Sequence, residues 1–317
     1  MTAVNTSKAA RPVTLARLAR AARLAGHSAI TQKPTLLVFD HGSIATTTIE
    51  PDEGDPESPE YIVTTTHHTP LSFDALRDAA ELVNDWNHDC LTPALVLNFD
   101  STDEVGITGT TVIDGRQGMT DEQLVAAADQ AIDNASAFVH KLVERFPTVT
   151  LTPPVTLRDE GLASEPDEAF DNQAYAVDTD RIAASLASIG IDKLQRTDAT
   201  EGKAIYAWIN EVLFAFVLDN GPSLVVKGHW DPDLPGSEFL RAFLVCNDFN
   251  RMSDSPVAYC HSNVDGLQIR LDLAVTVAAG MTDRQLRSTL ATALKTMLHG
   301  VDHIAKEVSG QSPVSWP

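Results

Sequence analysis

"GMTDEQL" occupies residues 118–124, and "GMTDRQL" occupies residues 280–286, so six of seven letters return after 162 residues. The spacing describes the start of a helix. With Thr120 as the cap, Gln123 stands at the third helical position and reaches back to the Thr120 amide, which makes a capping box. Met119 and Leu124 form the two ends of a hydrophobic staple, and Asp121 complements the helix dipole. Thr282, Gln285, Met281, Leu286 and Asp283 fill the same roles in the second occurrence. Gly118 and Gly280 suit a tight approach from the preceding strand. The unmatched letter, Glu122 against Arg284, falls where capping leaves the residue free. Behind each cap runs an apolar stripe at helical spacing. Leu124, Ala128, Ala131, Ala135, Phe138, Leu142 and Phe146 answer to Leu286, Leu290, Ala293, Met297, Gly300, Ile304 and Val308. Such a stripe is a core face.

A second landmark repeats in the same order. Asn84-Asp85-Trp86-Asn87 returns as Asn247-Asp248-Phe249-Asn250, 163 residues on, with Pro93 and Pro256 each six residues after the second Asn. Two landmarks at nearly one offset indicate a tandem duplication, with domains at 12–148 and 177–309 joined by a linker at 149–176. The prolines and acids of "TPPVTLRDEGLASEPDEAFDNQAY" build no core, which makes that stretch an exposed connection. The acidic "PDEGDPESPE" at 51–60 reads as a surface loop in the first copy, and "SGQSPVSWP" as a frayed tail. The second copy is the more legible. A capped helix at "DTDRIAASLASIG" precedes the β-rich runs "AIYAWIN", "EVLFAFVLDNG" and "SLVVKGHW", with Asn220-Gly221 as a turn. "GSEFLRAFLVCNDFN" returns to helical period, and "LQIRLDLAV" alternates as a strand with one wet face. The order α-βββ-α-ββ-α implies an α+β fold in each copy, an antiparallel sheet flanked by helices.

Composition bounds the partners. The formal charge of −21 repels nucleic-acid phosphates and anionic lipid, and no run approaches the length of a membrane span. Residues 1–39 are the exception, with Lys8, Arg11, Arg17, Arg20, Arg23 and Lys33 and no acid. Leu15, Leu18, Ala22 and Ala25 at helical spacing make this a basic amphipathic first helix docked on the domain. The cysteines Cys90, Cys246 and Cys260 form no CxxC pair, and the last two sit in apolar runs as small buried hydrophobes. A reducing cytoplasm is the simplest setting.

The two landmarks together resemble the YbjN family of bacterial proteins, described as sensory transduction regulators. The resemblance covers about residues 179–308 and, more weakly, 35–147. It implies two tandem domains with a fold similar to type III secretion chaperones, each a curved antiparallel sheet with flanking helices. It also implies a non-enzymatic role in protein–protein contact, with a tendency to dimerise, so the copies pair as an intramolecular pseudo-dimer or the chain forms a homodimer. It brings no catalytic residues.

The residues themselves agree with that expectation. Trp86 and Phe249 read as buried anchors at a helix end. Asn84, Asp85, Asn87, Asn247, Asp248 and Asn250 are the candidate binding residues, with side-chain-bonded turn geometry as the structural alternative. No phosphate loop, nucleophile elbow or dinucleotide fingerprint is present in the sequence. A competing function is a metal-dependent enzyme or metal binder on His/Asp loops. Its candidates are His229, Asp231 and Asp233 in "GHWDPD", the His67-His68 pair, and His299 with His303 one helical turn apart. The favoured expectation is a cytoplasmic protein without cofactor or metal, binding a protein or peptide partner in a regulatory or chaperone-like role. If one copy is only a scaffold for the other, an apolar patch on a single copy should betray it.

Overall fold

The computed structural model describes residues 9–29, 31–52, 59–99, 103–151, 173–197, 203–218, 223–264 and 266–316. Most of the linker, the middle of the acidic insert and the Asn220-Gly221 turn lie outside these residues. Repeat one runs α1 (Leu15–Ala25), β1 (Thr31–Lys33), β2 (Leu36–Asp40), β3 (Ala45–Pro51), β4 (Glu60–His67), β5 (Leu71–Ser72), α2 (Leu76–Asp89), β6 (Ala94–Asn98), β7 (Glu104–Asp114) and α3 (Asp121–Arg145). Repeat two runs α4 (Thr179–Ser188), β8 (Gln195–Arg196), β9 (Lys203–Ile209), β10 (Val212–Leu218), β11 (Ser223–Leu234), α5 (Phe239–Met252), β12 (Val257–Asn263), β13 (Gly266–Thr276) and α6 (Asp283–Ser309).

The first sheet has the order β1-β2-β3-β4-β7-β5, with β6 beside β7, and the second β12-β13-β11-β10-β9-β8. The fold is α+β, two antiparallel sheets each with flanking helices. Both repeats carry more strands before the middle helix than the expected three. β3, "ATTTIEP", was illegible because threonine occupies both of its faces and blurs the apolar alternation. The register supplies a hairpin at Asn210-Glu211, both at positive φ (51° and 59°), as a tight two-residue connection requires.

The stripes are the cores. Every apolar stripe residue of α3 and α6 named above is buried. Gly300 is the exception in kind. A Cβ there would stand 2.7 Å from Phe249 Cζ and would also strike Leu271 Cδ2, so the glycine lets the Phe249 ring reach the helix. The C-terminal tail departs from the frayed expectation. Val314 is buried, and Trp316 stacks on His299 at 4.3 Å, so the two apolar residues of the tail find surface to cover.

The described chain packs as two compact units that do not coincide with the repeats. One comprises Met1–Arg77, Leu97–Tyr175 and Ala278–Thr282; the other comprises Asp78–Val96, Ala176–Val277 and Asp283–Pro317. Most of α2 and the start of β6 therefore pack with repeat two, and the second "GMT" packs with repeat one. Among the described residues, no helix is long and apolar enough to cross a membrane.

Candidate functional site

The heptapeptide is a helix start. Gln123 N donates to Thr120 Oγ1 at 3.1 Å, and Thr120 N donates to Gln123 Oε1 at 2.8 Å, closing the capping box. Gly118 and Gly280 hold φ of 65° and 73°, the left-handed region that side chains disfavour, which accounts for the opening glycine. Gln123 Nε2 also donates to the Gly280 carbonyl at 2.7 Å, so the box touches the other heptapeptide.

The retained aspartate has a role that capping did not explain. Asp121 Oδ1 accepts from Arg11 at 2.6 Å, Arg17 at 2.9 Å and Arg20 at 3.4 Å. Arg17 is 1% exposed; its Nη1 donates to the carbonyls of Arg11 and Pro12 and its Nη2 to that of Met119, while Nε is buried without a hydrogen-bond partner among the described residues. Burial pushes the Arg17 pKa down, and the hydrogen bond to Asp121 opposes it. In repeat two, Arg181 reaches Asp283 at 2.7 Å, but that carboxylate is 78% exposed. Both arginines sit three residues after the cap of their helix, Thr14 or Asp178. A short motif was available in sequence, Arg17-Leu18-Ala19 against Arg181-Ile182-Ala183, 164 residues apart.

The candidate binding asparagines are committed to backbone. Asn87 accepts from Leu95 N at 2.8 Å and donates to Leu95 O at 2.9 Å, and Asn250 does the same to Ala258 at 2.7 and 2.8 Å. Asn84 clamps Cys260 in the same way, at 3.0 and 3.1 Å. The clamped residues Ala258 and Cys260 lie on β12, the edge strand of the second sheet, so the two side chains satisfy a row of groups that would otherwise invite another strand. Asn247 is buried, whereas Asp85 and Asp248 are exposed. Trp86 is buried with its indole N–H on the Pro93 carbonyl at 2.8 Å, and Phe249 is buried against Gly300.

Of the metal candidates expected in loops, His67 and the "GHWDPD" residues lie in strands and His68 in the bend after β4, while His299 and His303 lie on α6 as expected. His67 ends β4, where Nδ1 faces the Thr69 carbonyl at 2.7 Å and Nε2 accepts from Ile107 N at 2.9 Å. His68 lies between Thr46 and Ser43. His229, Asp231 and Asp233 belong to β11, whose pairing register shifts between Trp230 and Leu234 with Asp233 at a φ of 57°. His27, Asp129 and Asp133 do come together, on exposed or half-buried surface, as a His–Asp–Asp group absent from the sequence reading.

The chemistry concentrates on one face of the second sheet, the face opposite α6. Gly228, on the inner face, lies beside Met297 of α6; its neighbours Lys227 and His229 therefore point the other way. Cross-strand register builds two rows there. One is Trp208–Leu213–His229–Arg270–Tyr259, and the next is Tyr206–Ala215–Lys227–Asp272–Val257. Asp272, expected on a wet face, is fully buried. Its Oδ2 accepts from Lys227 Nζ at 3.0 Å and from the Tyr259 hydroxyl at 2.9 Å. Burial raises the pKa of Asp272 and Tyr259. Burial, then Arg270, Lys227 and His261, depresses His229 to about 4. His229 Nε2, Arg270 Nε and Asp272 Oδ1 are buried without a hydrogen-bond partner among the described residues. At the open end of the rows, Trp208 is 67% exposed beside half-buried Tyr206 and Leu213.

Comparison with known proteins follows the repeats. Residues 61–144 and 178–306 match the family YbjN, described as "Putative bacterial sensory transduction regulator". The chain belongs to the YbjN family. The crystal structure of YbjN from E. coli is similar at 12% identity, covering 39% of this chain and 88% of that one with a TM-score of 0.34. The di-domain ARO/CYC BexL of the BE-7585A biosynthetic pathway aligns over 98% of this chain and 97% of its own at 10% identity and a TM-score of 0.14. At these scores neither likeness bears on function. No curated protein matches the chain. The two matched segments of the YbjN family contain both landmarks, so the clamps and caps described above belong to its tandem domains.

Proposed function

We propose that this YbjN-family protein is a non-enzymatic regulator that binds a protein or peptide partner in the cytoplasm, with a chaperone-like mode of contact. The docking surface is the Trp208 end of the outer face of the second sheet. The carrying observation is the 67% exposure of Trp208 beside Leu213 and Tyr206, whereas the register of repeat one places Asp40 and Thr46 in the positions of Trp208 and Leu213. An exposed tryptophan with flanking apolar side chains is the usual anchor of a protein contact. The apolar patch on one copy favours a division of labour in which repeat two docks and repeat one supports. The chain's formal net charge of −21 favours a basic partner.

The test is affinity capture from the native lysate with wild type, Trp208→Ala and Trp316→Ala. A partner retained by wild type and Trp316→Ala but lost by Trp208→Ala supports the surface. Equal capture by all three overturns it. Stoichiometric transition metal in purified protein would favour the metal-dependent alternative instead.

A further inference from the structure

Helix α2 meets β12 at two adjoining points, the Asn84 clamp on Cys260 and a pair of imidazoles. His88 Nε2 lies 3.0 Å from His261 Nδ1. The rings are nearly parallel, at 7°, and that 3.0 Å takes up most of their 5.1 Å centroid separation, so they meet edge to edge as an N–H···N bond requires. On the far side of His88, Nδ1 lies 2.5 Å from Asp89 Oδ1, which fixes that nitrogen as a donor. Tyr259 of β12 meets the His88 ring edge-on at 5.3 Å. Arg270 of β13 is the other charged group acting on His261, and His229 of β11 lies beyond it in the same cross-strand row.

We propose that the His88–His261 pair is a pH-operated latch holding α2 on β12, closed while at most one extra proton sits on the two rings and open when both rings are cations. In the neutral pair, His88 Nδ1–H donates to Asp89 and His261 Nδ1–H donates to His88 Nε2. One added proton keeps the bond. His88, backed by the Asp89 carboxylate, becomes the imidazolium and donates from Nε2, while His261 shifts its proton to Nε2 and accepts at Nδ1. A second proton leaves two N–H groups facing each other on like charges, with Arg270 adding to the repulsion. Burial, Arg270 and His88 lower the His261 pKa from its ordinary 6.5, so the second proton arrives only at acid pH. The sign follows. A base depressed in the folded state costs nothing above its ordinary value, and the seam weakens as pH falls through 6.5 toward the folded value. The latch ties the first repeat's helix to the edge strand that carries Tyr259 and His261, so acidification frees the strand edge that Asn84 covers.

Hydrogen exchange of the whole chain, corrected for the intrinsic pH dependence, tests this. Protection of α2 and β12 amides is expected to fall relative to α4 between neutral and acid pH, by about tenfold for each unit of depression at His261. His261→Gln keeps an acceptor for His88 and cannot take a proton, so its α2 protection should stay flat over that range. The same acid loss in His261→Gln, or none in wild type, overturns the latch. Imidazole ¹⁵N NMR of wild type gives an independent reading should the variant fold poorly. His261 must titrate below 6.5; titration at or above its ordinary value overturns the proposal.

Discussion

The two repeats use one plan on the outer faces of their sheets and fill it with opposite chemistry. In repeat one, Thr46 pairs with Thr66 and Thr66 with Thr108, while Thr48 pairs with Thr64 and Thr64 with Thr110. At an offset of 162 or 163 residues, Thr64, Thr66, Thr108 and Thr110 become Lys227, His229, Arg270 and Asp272. A ladder of small neutral hydroxyls has become a cluster of buried and half-buried ionisable groups. The apolar stripes of α3 and α6 and the Asn87 and Asn250 clamps did not diverge in kind, because each is fixed by core packing or by a backbone group that must be satisfied. The outer face carries no such obligation, and it is where the copies became different proteins.

The cap aspartates show the same asymmetry in energy. Asp121→Ala leaves the buried Arg17 cation without its counter-charge and is expected to cost about 3–5 kcal/mol, whereas Asp283→Ala removes an exposed pair and should cost about 0–1 kcal/mol. Denaturant unfolding of both variants measures the gap; equal losses would erase the distinction. At the clamps, Asn84→Ala strands the amide and carbonyl of Cys260, at about 1–3 kcal/mol for each group left unsatisfied. Loss of exchange protection confined to β12 and α2 would locate it. Gly300→Ala sharpens the comparison of the two long helices, because the matching position in α3 is the fully buried Phe138. Alanine would gain about 1 kcal/mol of helix propensity but lose about 1–3 kcal/mol by overpacking against Phe249 and Leu271. A net fall in melting temperature is expected, and a rise would show that the Phe249 ring can give way. The smallest effects should come from the caps, where Thr120→Ala and Thr282→Ala are each expected to lower stability by about 1 kcal/mol without altering partner capture. An unchanged melting temperature would remove the capping argument.

Much of the local architecture was legible because its causes lie within one helical turn. The Thr120–Gln123 box, the α3 and α6 stripes and the amphipathic α1 all follow from spacing alone. The roles of Asp121 and Asn84 were not, since their partners Arg17 and Cys260 stand 104 and 176 residues away. For Asn87 and Asn250 the sequence offered side-chain-bonded turn geometry or a binding role, and each grips by its side chain a strand residue eight positions on. Threonines hid β3 by making both of its faces look alike. His229, Asp231 and Asp233 were misplaced because a strand that continues past a Gly-His pair looks, in sequence, like a loop.

The sequence by itself determined that the chain is a duplication, where its long helices begin, which residues line their cores, and which family it belongs to. These are short-range or pattern properties, readable from capping chemistry and periodicity. Only the tertiary structure decided that the first repeat's α2 packs with the second repeat, and that an aspartate on a seemingly wet strand is buried under Lys227 and Tyr259. It also decided that His88 and His261, 173 residues apart, share a proton axis. Such contacts depend on which edges and faces the folded chain brings together, and no local rule in the sequence encodes that choice.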